Sequence, residues 1–230
     1  MRRRIEPMQW EQGNCIAVLD SEGTLTISPK EGTDGLLFNR DPFHPDIWWW
    51  VRNEDIRKVV IKKGVKAKNS INGLFRGLRS CHKFDVGNLD TSSVVSMRSV
   101  FSECFFLTDI KGLKNWDIGN VEDMRYMFER CCSLENFSPI KDWHTGKVKK
   151  MNGMFFGCSS LRDPSPFFGW NVTNAERRMM FLHCPCEDPF AGLPEREETS
   201  IKDTKKKDDL KTAMQKNRPW YLRVLERFFN

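Results

Sequence analysis

The sequence predicts an α/β repeat fold: a solenoid of coils of about 27 residues. Each coil is expected to contribute a short helix and a short extended strand, and a small β unit is expected to cover the first coil. Three observations lead to this prediction. A segment recurs at a constant step, each copy divides into a part with helical spacing and an extended part, and short alternating strands precede the copies.

The recurring segment starts at Leu89, Trp116, Trp143 and Trp170, with a step of 27 residues each time. Aligned positions carry the same residue types, which form structural ladders along the chain: Trp116, Trp143 and Trp170; Met97, Met124 and Met151; Phe101, Phe128 and Phe155; Cys104, Cys131, Cys158 and Cys184. In a repeat protein each unit buries its apolar face only against its neighbours. The ladders are therefore expected to stack in the core.

The first part of each copy has helical spacing. Apolar residues from Val121 to Cys131 follow one another at steps of three, three, one and three, which is typical of a helix of about three turns. Asn120, and Ser93 in the preceding copy, are candidate N-caps. The second part, residues 134–143, is expected to form a very short strand and a turn, because proline restricts ladder formation there.

The residues before the repeats predict a β cap unit over residues 1–65. Ile16–Leu19 and Thr24–Ile27 read as strands around a turn, and a third strand is expected in residues 56–65. Residues 38–52 contain prolines and three tryptophans, and we expect them to fold back onto this sheet. The repeat region itself is assigned to residues 66–190.

Residues 191–230 predict a charged linker followed by a terminal amphipathic helix. The helix gathers Trp220, Leu222, Val224, Leu225, Phe228 and Phe229 between charged residues. Two interpretations are open: it docks on the solenoid as a cap, or it binds a partner or a membrane surface.

The chemistry-bearing residues do not predict an enzyme. No nucleophile, zinc-protease or phosphate-loop motif is present, and no cofactor is expected. Four of the eight cysteines occupy one repeat position, where buried thiols or inter-coil disulfides are the alternatives. His183, Cys184 and Cys186 are too closely spaced for the usual zinc pattern, so no metal site is expected. The adjacent Cys131 and Cys132 are not expected to form a redox pair.

The charge pattern gives weak support for an anionic partner. The formal net charge is +6, and a basic segment runs from Arg57 to Arg79. Neither a reading element nor a set of interleaved aromatic residues is evident in it, so nucleic-acid binding is not expected and a solvated edge of the cap is the preferred interpretation. No apolar stretch is long enough to predict a transmembrane segment, and the first residues lack the apolar region of a signal peptide.

One central copy carries the motif W-D-x-x-x-V-x-x-M-x-x-M-F-x-x-C-x-x-L, from Trp116 to Leu134. This motif resembles the BspA-like leucine-rich repeats of bacterial surface proteins. The resemblance covers roughly residues 10–184 and implies a leucine-rich-repeat-like solenoid used for protein binding, in several members for adhesion to host proteins. It implies no catalytic activity. It also implies a cell-surface or secreted location. Because no signal peptide is visible, two alternatives stay open: a cytoplasmic protein, or a mature or truncated form whose targeting segment is missing.

The expected function is therefore a non-catalytic protein-binding module, with intracellular scaffolding or regulation through a bound partner as the alternative to adhesion. The partner is unidentified and the oligomeric state is undetermined. The candidate contact surface is the outer face of the extended parts, where non-core residues of successive coils lie side by side. The candidate partner-binding residues are Thr108, Asp109, Lys111, Glu135, Asn136, Ser138, Arg162, Asp163 and Ser165.

Overall fold

The computed structural model describes residues 5–37 and 52–194 of the chain. The chain divides into two compact units, Met1–Arg196 and Glu197–Asn230, and the description below concerns the first. The tryptophan-rich residues 38–51 and the predicted linker and terminal helix beyond residue 194 lie outside the described residues. In the part of the chain that is described, no helix is both long and apolar enough to cross a membrane.

Among the described residues, eight strands form two sheets towards the amino-terminal end. They are β1 (Met8–Gln12), β2 (Cys15–Leu19), β3 (Thr24–Pro29), β4 (Leu36–Leu37), β5 (Lys58–Ile61), β6 (Lys66–Ser70), β7 (Lys83–Asp85) and β8 (Asp90–Ser96). One sheet has the order β1-β2-β3-β5-β7 and the other β4-β6-β8. The three strands predicted before the repeats are confirmed as β2, β3 and β5.

The sheets run directly into the repeats. Strands β1, β2 and β3 pair antiparallel, whereas β3, β5 and β7 pair parallel, with Leu25 opposite Val59 and Val59 opposite Phe84. The sheet β4-β6-β8 is parallel throughout, and beyond β8 its register continues as single bridges that join Ser96 to Asp123, Asp123 to Lys150 and Lys150 to Glu176. One side of the molecule is thus a continuous parallel ladder.

The segment predicted to be a helix is not helical. Residues 125–130 form a series of tight turns, in which Tyr126 and Arg130 have φ of 57°. A left-handed residue at every fourth position prevents the backbone from continuing as a right-handed α-helix. Its N–H groups bond outward instead: Met124, Tyr126, Phe128 and Arg130 donate to carbonyls of residues 150, 152, 154 and 156 in the next coil. Asn120 and Ser93 therefore do not act as N-caps of α-helices, and Ser93 lies within β8.

The extended part also differs from the prediction. Where a short strand was expected, the chain forms the 3₁₀ helices η1 (Lys111–Asn115), η2 (Ser138–Ile140) and η4 (Ser165–Phe167), and a further one, η3 (Thr145–Lys147), lies just after residues 134–143. Proline within η2 and η4 suits the first turn of a helix, because its missing N–H would be unpaired there anyway. We refer to the surface formed by residues 105–120, 132–147 and 159–174 as the leg face.

The ladder residues occupy the core. The tryptophan, methionine and phenylalanine ladders are buried, as are Cys104, Cys131 and Cys158, while Cys184 is partly buried against them. The rings of Phe75, Phe101, Phe128, Phe155 and Phe181 follow one another at centroid distances of 5.1 to 5.8 Å. Such offset stacks add to the stabilisation that apolar burial provides.

The last coil ends differently from the others. Arg177 takes the place of the ladder methionine and is 5% exposed. Its guanidinium donates hydrogen bonds to the carbonyls of Phe190, Leu193 and Pro194, at 3.3, 3.2 and 2.9 Å. The Phe190 ring packs against Phe181, the last ring of the stack. Arg177 thereby fixes a segment that covers the apolar end of the core.

Candidate partner-binding surface

The structure brings the nine predicted residues together on the leg face. They align in three columns across successive coils: Thr108, Glu135 and Arg162; Asp109, Asn136 and Asp163; Lys111, Ser138 and Ser165. Asp109 is half-buried and the other eight are exposed. The surface is therefore available for contact, but its three columns do not have the same local role.

The middle column holds the backbone of the leg in place. One side-chain oxygen of Asp109, Asn136 and Asp163 accepts the N–H of the residue two positions later, at 2.9 Å in each case. This is the Asx turn, which starts each 3₁₀ segment. The same hydrogen bond lowers the pKa of Asp163, because it stabilises the charged carboxylate. These three side chains therefore stabilise the backbone of the leg, although none of them is buried.

A first cleft of about 310 Å³ lies between two neighbouring coils of the leg face. Five predicted residues line it, together with Phe137, Lys141 and Pro166; the five are Glu135, Asn136, Ser138, Asp163 and Ser165. Phe137 is 1% exposed and therefore forms the floor. The sequence pattern thus located the rim of this cleft and not its floor.

A second cleft of about 320 Å³ lies one coil closer to the amino terminus. Trp116, Trp143 and Ile118 form its buried floor, and Lys114, Asp117, Asp142 and His144 are exposed around it. None of the four exposed residues was predicted. The repeat period could have indicated one of them, because Lys114 occupies the same repeat position as Lys141 of the first cleft.

The thiols are protected rather than activated. Burial raises the pKa of Cys81 and Cys184 to about 12, and it raises the pKa of Cys104, Cys131 and Cys158 well above the ordinary value. The eight cysteines, all within the described residues, are free thiols. Nucleophilic chemistry needs a thiolate, so these environments oppose it.

Metal ligation finds no support among residues 5–37 and 52–194, which contain no group of three or more His, Cys, Asp or Glu side chains able to hold an ion. Cys184 instead donates its thiol hydrogen to the carbonyl of Phe155, at 3.0 Å. Its neighbour Cys186 packs against the core.

The predicted basic segment divides into two parts. Lys62, Lys63, Lys66 and Lys68 are exposed at the ends of β5 and β6 and in the turn between them. Arg76 and Arg79 instead contact Glu103 of the following coil, at 2.7 and 3.4 Å. The arginines therefore link neighbouring coils and do not form one continuous basic patch with the lysines.

Comparison with solved structures finds two leucine-rich repeat proteins of low sequence identity. One is a leucine-rich repeat protein from Eubacterium ventriosum, with 15% identity, a TM-score of 0.44, and an alignment over 70% of this chain and 45% of that one. The other is a leucine rich cell surface protein from Faecalibacterium prausnitzii, with 18% identity, a TM-score of 0.37, and an alignment over 85% and 60%. This chain therefore spans less than two thirds of either protein. A comparison with curated proteins finds no match.

Comparison with protein families gives a match over the repeats and the end of the β region. The motif from Trp116 to Leu134 lies within the matched residues. The matching family covers residues 69–187, which is more than half of the chain. The chain therefore belongs to the family described as Mycoplasma protein of unknown function, DUF285.

Proposed function

We propose that the repeats form a solenoid that acts as a non-catalytic protein-binding module, with the leg face as its contact surface. The observation that carries this proposal is the pair of neighbouring clefts on that face, each with an apolar floor and an exposed polar rim. Protein interfaces combine an apolar centre that excludes water with a polar rim in the same way.

The environments of the other described side chains support binding rather than catalysis. Burial raises the pKa of the four ladder cysteines, and Asp109 and Asp163 accept backbone hydrogen bonds in turns. The rim of the first cleft, in contrast, carries exposed groups such as Glu135 and Lys141. Groups of this kind give a protein interface its specificity and its salt dependence.

Site-specific photo-crosslinking in the cells that produce the protein tests this proposal. A photoreactive residue at Glu135 is expected to capture a defined protein, whereas one at Lys149 is not. Lys149 is a matched control, because it is also exposed but pairs with Glu122 on another side of the coil. Equal capture at both positions would contradict the choice of face.

The captured partner then allows a quantitative test with purified proteins. Replacing Glu135 and Arg162 together with alanine is expected to weaken binding while leaving the unfolding transition unchanged, because neither side chain is buried. Asp109 is left intact, since its Asx turn supports η1. Unchanged affinity in the double variant would show that the leg face is not the contact surface.

The biological setting follows from the location of the protein. A module on the outside of the cell fits adhesion or contact with a host, and a module inside fits scaffolding. Fractionation of the producing cells, followed by protease treatment of intact cells, separates the two. Degradation of the native protein in intact cells supports adhesion, and its complete protection supports scaffolding.

A further inference from the structure

The two clefts of the leg face have matching compositions. The first has Glu135, Asp163 and Lys141 around the floor formed by Phe137. The second has Asp117, Asp142 and Lys114, together with His144, around Trp116 and Trp143. Each cleft thus combines an aromatic floor with two carboxylates and one lysine, so that these three groups leave one negative charge in excess.

The two carboxylates of each cleft come from different coils. Asp117 and Asp142 lie on successive coils, and so do Glu135 and Asp163. One oxygen of Asp117 accepts the N–H of Gly119 at 2.8 Å, and one oxygen of Asp163 accepts that of Ser165 at 2.9 Å. A carboxylate has a second oxygen, which can accept a hydrogen bond from a ligand. A group that enters either cleft therefore meets negative charge from both adjoining coils.

We propose that the leg face binds a cationic polypeptide segment and takes a lysine or arginine side chain of that segment into each cleft. This inference rests on the proposed protein-binding function and names the chemical class of the partner. The methylene groups of such a side chain cover the apolar floor while its charged end reaches the carboxylates at the rim. Arginine also interacts favourably with the face of an aromatic ring in the floor.

Because the chain as a whole is positively charged, a cationic peptide can bind tightly only at a site that is itself negative. A chain with a formal net charge of +6 repels a cationic peptide at long range. Tight binding of such a peptide therefore requires a specific site where negative charge and apolar surface coincide. The clefts provide this combination. Non-specific attraction to the whole protein cannot explain such binding, because the net charge of the protein is positive.

Fluorescence anisotropy with two matched peptides tests the proposal on the full chain. The probe is a short fluorescein-labelled peptide in which lysine and arginine alternate with alanine and proline. Its twin carries glutamate at every basic position. The cationic peptide is expected to bind saturably and the twin is not, and affinity is expected to fall as salt rises from low to physiological concentration.

Variants that remove charge without disturbing the turns locate the site. Glu135→Gln with Asp163→Asn removes the carboxylate charge of one cleft, and Asp117→Asn with Asp142→Asn removes that of the other. Asn136 already makes the turn that Asp163 makes in the next coil, so asparagine is compatible with the backbone there. Each pair is expected to raise the Kd of the cationic peptide about fivefold, the size that two partly exposed charge contacts provide.

A control pair, Glu54→Gln with Glu187→Gln, removes the same amount of charge from exposed positions outside the clefts. It is expected to leave the Kd unchanged. Equal binding of both peptides, no saturable binding of the cationic one, or an equal loss in the control pair would overturn the proposal. If a native partner is captured at Glu135 while the cationic peptide does not bind, the binding function stands and the cationic class is wrong.

Discussion

Cys131 donates its thiol hydrogen to the backbone carbonyl of Phe101, thirty residues earlier, at an Sγ to O distance of 3.2 Å. The contact recurs at the other three cysteines of the ladder, Cys104, Cys158 and Cys184, at 3.0 to 3.2 Å. The tryptophans do the same: Trp143 donates its indole N–H to the carbonyl of Leu113 at 3.2 Å. Each coil is therefore joined to the preceding one by side-chain hydrogen bonds as well as by packing.

The buried thiols predict that stability falls in alkaline solution. Burial raises the pKa of Cys131 well above 9.0, whereas in the unfolded chain the thiol loses its proton near that value. Below pH 9 the stabilisation is complete, and it is lost as the pH rises toward the raised pKa of the folded state. Each such thiol is expected to contribute about −1.4 kcal/mol per pH unit to the free energy of unfolding above pH 9.

Urea unfolding in reductant at several pH values between neutrality and about pH 10.5 measures this dependence. Cys131→Val removes one thiol and is expected to make the slope shallower by that amount. Met124→Leu serves as the control, because it alters the same core without changing a titratable group. Identical slopes for Cys131→Val and the unsubstituted protein would show that the thiol does not govern the alkaline loss.

The methionine ladder predicts that substitution by alanine lowers stability far more at Met124 than at Met179. Met124 is buried in the core, whereas Met179 is 51% exposed. Met124→Ala is expected to lower the free energy of unfolding by about 2 to 5 kcal/mol, the range for large-to-small changes in a core. Met179→Ala is expected to change it by less than about 0.5 kcal/mol. Chemical denaturation of both variants decides this, and similar costs would mean that the two positions are equally packed.

The repeat period and the identity of the buried columns could be predicted from the sequence, because a stack places equivalent residues on top of one another. The backbone of each coil could not. Steps of three and four between apolar residues fit a helix, but they fit a series of tight turns equally well. The distinguishing signal lies in glycines four positions apart, Gly73 and Gly77 in one coil and Gly153 and Gly157 in another, which have positive φ. Serine, glutamate, tyrosine, arginine, methionine and histidine take these positions in the other coils and conceal the pattern.

The repeat register also allowed part of the candidate surface to be predicted, namely exposed polar residues at the rim of the first cleft. Exposed polar residues of the leg follow from the repeat register, so Glu135, Ser138 and Ser165 were found. The sequence carries no direct sign that Asp109, Asn136 and Asp163 support turns, since an Asx turn depends on the local backbone. The second cleft was missed because its floor is made of Trp116 and Trp143, which the repeat pattern assigns to the core alone.

The glycines with positive φ predict that substitution by alanine lowers the free energy of unfolding by different amounts at Gly77 and Gly153. Gly77 has φ of 71° and no atom within 4 Å of the place that a Cβ would take, so Gly77→Ala adds only backbone strain, about 1 to 2 kcal/mol. Gly153 has φ of 62°, and a Cβ there would collide with the ring of Tyr126 in the preceding coil. Gly153→Ala is therefore expected to cost more than Gly77→Ala in urea unfolding. Adding Tyr126→Ala is expected to recover part of the Gly153→Ala loss, and additive effects in this double-mutant cycle would exclude the steric contact.

The open edge of the last coil predicts a gradient of amide hydrogen exchange along the stack. In the coil before the last, Met151, Gly153, Phe155 and Gly157 donate their N–H groups to carbonyls of residues 176, 178, 180 and 182. Within the described residues, the equivalent N–H groups of Arg177, Met179, Phe181 and His183 make no such bond.

Amides without a hydrogen-bond partner exchange through small local openings, whereas those inside a cooperative unit need larger ones. Exchange at Met179, Phe181 and His183 is therefore expected to be much faster than at Tyr126, Phe128 and Arg130, as resolved by mass spectrometry of overlapping peptides. Equal protection of the two sets in the full chain would show that the edge is covered by another part of the protein or by a second copy, and a dilution series would separate these two cases.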